Sequence, residues 1–103
     1  MAFNIFKRPQ ADRDIEECFV FIAENNLEAA LKFLIAVEDS LEELSRFPMI
    51  GKEGRHRDER LFSYRIWRVR DHYSYLLFYK VTAESIELFR VLHGSRDIES
   101  ILE

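Results

Sequence analysis

The side chains in this sequence that could move a proton or hold a phosphate are few. Histidine titrates nearest neutral pH, which makes His93 the first position to consider for general acid–base work. It sits in a run, 90–97, that also carries Arg90 and Arg96. Guanidinium groups grip carboxylate or phosphate through two parallel hydrogen bonds, so Arg65, Arg68, Arg70 and Arg96 are candidate contacts to an anionic partner. Pairing with acids of the same chain is an equal alternative for each. Trp67 stands among them; tryptophan more often fills a core, yet it is over-represented where binding energy concentrates. His56 and His72 fall in polar segments with no metal-ligand spacing between them. Three glycines and one cysteine are too few for a phosphate-cradling loop or a zinc motif, and no Ser/His/Asp set can be assembled. No metal and no cofactor are expected.

Charge sharpens this picture. The net charge of -4 argues against a general nucleic-acid binder. Its distribution is uneven. Residues 1–51 carry five basic and ten acidic side chains, residues 52–70 seven and three, and residues 71–103 three and six. A basic island of +4 therefore interrupts an otherwise acidic chain. Either it is a solvated loop and strand edge paired to the acidic helices, or it faces an acidic partner.

The 103 residues suffice for a single domain, 1–103, and a 48% hydrophobic content supports a packed core. No apolar run is long enough to span a bilayer and no signal-peptide pattern opens the chain, so no membrane partner is expected. The lone cysteine, Cys18, lies among apolar residues of a helical stretch, which fits core packing and a reduced, cytoplasmic setting.

Periodicity supplies the elements that must position these groups. Residues 3–7 read as a short strand stopped by Pro9, which suits the first turn of a helix. Ile15, Cys18, Phe19 and Ile22 then form an amphipathic stripe, and Asp12, Asp14, Glu16 and Glu17 suit the positive end of that helix. Asn26 can cap a second helix whose seam is Ala30, Leu34, Val37, Leu41 and Leu44, widened by Phe33 and Phe47. Pro48 and Gly51 end it. A polar loop over 52–59 leads to strands at about 61–69, 74–81 and 86–93, with turns at 70–72 and 82–85. Asp97 opens a possible last helical turn, 97–103. The expected fold is α+β, in the order β-α-α-β-β-β: a helical hairpin on one face of a mostly antiparallel four-stranded sheet. Both faces of the 74–81 strand are apolar, which calls for a cover on the second face, a partner chain being one. In an unbroken last strand Phe89, Val91 and His93 share one face and Leu88, Arg90 and Leu92 the other. Arg90 and His93 then serve one site only if a bulge intervenes.

Three stretches resemble the RelE/ParE toxin superfamily, and its ParE branch more closely. Arg46-Phe47-Pro48-Met49-Ile50-Gly51 is similar to its phenylalanine–proline–x–isoleucine–glycine corner. Residues 65–79, with Trp67, Val69, Tyr75, Phe78 and Tyr79, resemble its central hairpin, and residues 90–97 its closing strand and tail. The resemblance implies the toxin of a type II toxin–antitoxin (plasmid-stabilisation) pair, held inactive by a cognate antitoxin, with a toxin–antitoxin heterotetramer as one possible assembly. A ParE-like toxin would bind DNA gyrase and need no catalytic set. A RelE-like one would cut messenger RNA on the ribosome, using basic side chains to activate the 2′-hydroxyl and stabilise the phosphate. The acidity of this chain and its lack of a lysine-rich second helix favour the ParE reading. Arg65, Trp67, Arg68, Arg70 and Arg96 are then expected to bind partners, with His93 and Arg90 weak catalytic candidates. An inactive relative that only binds antitoxin is the third alternative.

Overall fold

The computed structural model describes residues 2–55, 63–96, 98 and 101. Its order is β1 (Asn4–Lys7), α1 (Pro9–Ala23), α2 (Leu27–Arg46), β2 (Lys52–Arg55), β3 (Ser63–Val69), β4 (His72–Val81) and β5 (Ser85–His93). The α+β class and the hairpin-on-sheet layering follow the periodicity. The strand count does not: the sheet has five strands, ordered β1-β5-β4-β3-β2. The extra one, β2, falls at the start of the expected polar loop. Lys-Glu-Gly-Arg has no apolar alternation to betray a strand, because β2 is an edge that pairs through its backbone with β3 and buries little. The rest of that loop, including His56, lies outside the described residues. So does most of the expected closing turn 97–103, of which Ile98 and Ile101 are helical.

Local signals start and stop the helices as their chemistry requires. Pro9 occupies the first turn of α1, and the Asn26 side chain accepts from the Ala29 amide at 3.0 Å to cap α2. From α2, Phe33, Ala36, Val37, Leu41 and Leu44 are buried against Leu77, Tyr79, Ile86, Leu88 and Val91 of β4 and β5. Ser40 lies in the same buried stripe: its hydroxyl donates to Ala36 O and accepts the Arg70 amide at 2.8 Å, tying α2 to the β3–β4 turn. In that turn Asp71 adopts φ 61°, a left-handed conformation that aspartate tolerates better than most residues. Phe47, expected to widen the helix seam, is instead 61% exposed, because α2 ends at Arg46 and the chain turns away.

That turn is held from below. The buried Tyr79 hydroxyl donates to Pro48 O at 2.8 Å and accepts the Gly51 amide at 3.0 Å. Gly51 has no side chain because there is no room for one: a Cβ would lie 2.9 Å from Ile66 O and against the Tyr79 hydroxyl. On the far face of the sheet Phe78 and Leu92 are fully or nearly fully buried, with the rings of Tyr64 and Phe89 packed on Phe78. The chain itself therefore covers part of the second apolar face, and these residues require no partner to bury them.

Tyr79→Phe removes both phenolic bonds and leaves a buried amide and carbonyl short of partners, so it should cost about 1–3 kcal/mol in urea unfolding. Burial also raises the Tyr79 pKa above the ordinary 10.0. A raised acid pKa stabilises fully below the unfolded value and is lost as pH climbs through the folded one. Stability should therefore fall above pH 10.0, and that fall should be smaller in Tyr79→Phe. An identical alkaline limb in both proteins would show that the phenol does not contribute to it.

Candidate functional site

The residues singled out by type separate into three places. Arg65 turns inward to the corner after α2, where its Nη1 donates to Gly51 O at 2.8 Å and Met49 O at 3.3 Å. Its guanidinium is thus engaged in fixing the fold. Trp67 lies on the helix side of β3, half-buried, with Nε1 donating to Glu43 at 3.1 Å. Arg70, exposed, stands 3.9 Å from the same carboxylate, a surface pairing worth little by itself. Arg68 points the other way. Its guanidinium carbon lies 5.0 Å from the centre of the Trp67 ring and 4.7 Å from that of Tyr73.

The third place is the end of β5. The register between β4 and β5 shifts: Tyr79 faces Leu88 but Phe78 faces Arg90, so Phe89 is an extra residue. The bulge lies before Arg90, and pairing from Arg90 to His93 is unbroken, so those two keep the opposite faces that strand parity expects. It puts Val91 and His93 on the helix side with Leu88, while the Phe89 ring packs on Tyr64 and Phe78 across the sheet. The expected grouping of Phe89 with Val91 and His93 is therefore corrected, since the bulge inverts alternation at that point.

Arg90 does not join His93. Its Nε and Nη2 donate to the two carboxylate oxygens of Asp14 at 2.7 and 3.0 Å. Asp14, on α1 and 3% exposed, also accepts the Val91 amide at 3.0 Å and Gln10 Nε2 at 3.0 Å. A guanidinium held this way has little left to offer a transition state. His93 Nδ1 accepts the Ser95 amide at 3.0 Å, and its ring meets Tyr75 edge-on at 5.0 Å. In the neutral ring that leaves the proton on Nε2.

His93 and Arg96 do share a cleft of about 340 Å³ with Cys18, Phe21 and Tyr75. The Cys18 thiol there is pushed up to about 11, first by burial and then by Asp14 and Glu17, with Arg96 opposing. It stays protonated at neutral pH and is no nucleophile. Among the described residues no cluster of His, Cys, Asp or Glu is arranged to hold a metal ion.

Comparison with known proteins agrees with this architecture. Residues 5–98 match the family model for the ParE toxin of the type II toxin–antitoxin system, parDE. The chain belongs to the ParE toxin family. A solved chain of a chromosomal ParDE toxin–antitoxin system from P. aeruginosa is similar in fold, with a TM-score of 0.67 at 15% identity. The similarity covers 89% of this chain and 96% of that one. Among curated proteins none matches the sequence. Among the described residues no helix of this ParE-family chain is long and apolar enough to cross a membrane.

Sequence reasoning missed Asp14 and Tyr73. Asp14 was grouped with the acids that suit a helix start, yet its spacing gave a signal. Ala11, Asp14, Ile15, Cys18 and Ile22 recur at i, i+3, i+4, i+7 and i+11, which places the aspartate on the buried stripe. Tyr73 carried no such signal, because its contact with Arg68 depends on the irregular register at the start of β4.

Two measurements follow. Asp14→Ala strands a largely buried Arg90 and should cost about 3–5 kcal/mol, whereas replacing both partners by leucine should cost much less. Equal losses in the two would show that the pairing carries no energy of its own. Alkylation of Cys18 in the native protein should rise with a midpoint near pH 11, and move to about pH 9 in urea.

Proposed function

We propose that this ParE-family chain inhibits growth by binding a target in the cytoplasm, DNA gyrase, and is silenced by a cognate antitoxin. The observation that carries the binding mode over ribonuclease chemistry is the engagement of Arg90 by Asp14. Ribonuclease action needs a base, an acid and charge stabilisation around one phosphate. Here His93 stands with Arg96 beside a protonated Cys18, and the nearest strand arginine is already saturated. Gyrase as the target rests on the ParE resemblance alone.

The helical hairpin offers a place for the antitoxin. Leu27, Leu31 and Ile35 recur every four residues on α2 and are 58%, 49% and 62% exposed, with Phe21 of α1 64% exposed. An amphipathic segment that orders as it binds would bury this stripe. Of the basic island, Arg70 is available to an acidic tail of the same partner, and Arg96 stands by the cleft. Arg65 is not, since reversing its charge would disturb the corner it holds.

Induction without antitoxin distinguishes the readings. Filamentation and inhibited supercoiling by purified gyrase are expected, and His93→Ala should leave both intact. Cleaved messages from programmed ribosomes, abolished by His93→Ala in a stable protein, would install the ribonuclease instead. Normal growth would leave an inactive antitoxin binder. Leu31→Glu with Ile35→Glu should weaken the antitoxin complex by about tenfold or more, equivalent to about 1.4 kcal/mol per tenfold. Unchanged affinity in that pair would remove the hairpin face from the interface.

A further inference from the structure

The sheet face turned away from the helices differs in charge from the rest of the molecule. Cross-strand register places Lys52 beside Ile66, and Arg68 beside Leu76 and Leu92, on that face. Among the described strand positions there the only acid is Glu87, which Arg8 neutralises. Of the fourteen acids among the described residues, nine lie on α1 and α2, across the sheet.

Arg68 starts on this face but reaches Trp67, whose ring lies on the helix side, so it is held at the edge of β3 beyond the last β2 pair, Lys52–Ile66. It is exposed, and among the described residues no carboxylate pairs with it. Instead its guanidinium stacks on Trp67 at 5.0 Å and on Tyr73 at 4.7 Å. Contact with ring faces meets the charge but accepts no conventional hydrogen bond, so the guanidinium keeps N–H donors for an incoming anion. Tyr73 is itself 61% exposed, which leaves ring surface open beside the donor fork.

We propose that Arg68, clamped by Trp67 and Tyr73, is a phosphate anchor for a single-stranded nucleic acid, with a base stacking on the open surface of Tyr73. Such a fork suits the two free oxygens of a phosphodiester. A neighbouring exposed ring suits an unstacked base, which a duplex does not present. An acidic peptide would use the fork but gain little from the ring. The fork meets a phosphate and the ring meets a base face, neither of which differs with base identity or a 2′-hydroxyl, so DNA and RNA of mixed sequence should bind alike. The site is independent of the gyrase reading, and its test uses no cellular target.

Trp67 is the sole tryptophan, and its emission reports directly on Arg68. The full-length protein at low salt would be titrated with a short single-stranded oligonucleotide, the matching duplex, inorganic phosphate and an acidic peptide of equal charge. The single strand should bind tightest and change the emission. Arg68→Ala and Tyr73→Ala should each weaken it by about tenfold, the loss of one charged contact or one stacked base. Arg68→Ala should also flatten the slope of log affinity against log salt by about 0.7, one phosphate of a single strand. Arg68→Gln keeps the stem and serves as a second variant, with unchanged urea midpoints confirming the fold. No binding of the strand, or binding indifferent to Arg68 and Tyr73, overturns the proposal. Tighter binding of the acidic peptide, lost with the same variants, overturns it in favour of a protein partner.

Discussion

Beyond the point where β1 stops, β5 is left with an open edge, and the Asp14 carboxylate closes it. β1 pairs with β5 only from Ser85 to Leu88, and the Arg8 amide adds one more bond to Leu88 O. The next inward donor, the amide of Val91, would otherwise face the underside of α1 unpaired. A buried unpaired amide costs about 1–3 kcal/mol, so an acceptor must be supplied. Asp14 supplies it from the helix, and a buried carboxylate in turn needs its charge answered. Arg90 answers it in bidentate geometry, and Gln10 fills a further lone pair. The set fixes where α1 sits on the sheet, how far β5 runs beyond β1, and where Arg90 can reach.

The same logic governs the opposite end of the hairpin. There the chain leaves α2 through Pro48 and enters an edge strand, with backbone carbonyls turned inward. Tyr79 and Arg65 meet those carbonyls from the sheet, and Gly51 gives the hydroxyl its space. In both places a polar side chain projecting among apolar neighbours satisfies backbone that regular structure leaves open. Such residues look like site candidates by type alone, because a guanidinium fork suits a carbonyl or carboxylate of its own chain as well as one from a partner.

That ambiguity marks how far the sequence could be read. The helices, the strands β3 to β5 and their turns were legible, because apolar spacing and caps are local signals. Strand β2 was not, since an edge strand is specified by its neighbour's backbone rather than by its own side chains. Of the site, residue types were legible but destinations were not. Arg65, Arg68 and Arg90 are alike in a sequence. One is drawn to carbonyls, one to aromatic rings and one to a carboxylate, according to strand face and two irregularities of register. The bulge at Phe89 is the clearest case: one extra residue reverses alternation after Leu88, yet it precedes Arg90 and leaves Arg90 and His93 on opposite faces.

Pairing between Arg90 and His93 is regular, so no catalytic pair is assembled there. Inverting the strand brought His93 to the helix side, and the arginine that precedes it was held by the acid that closes the edge. A buried ion pair is costly to break, because each partner left alone is an unanswered charge in a poorly solvated place. Releasing Arg90 for a substrate phosphate would therefore expose Asp14 to that cost and unseat the Val91 amide as well. The fold can use the 90–93 segment to hold α1 or to arrange a reactive arginine, and the geometry commits it to the first. The groups the fold leaves unused are elsewhere: the exposed stripe of α2, the guanidinium of Arg68 against its two rings, and Arg70 and Arg96 at the surface.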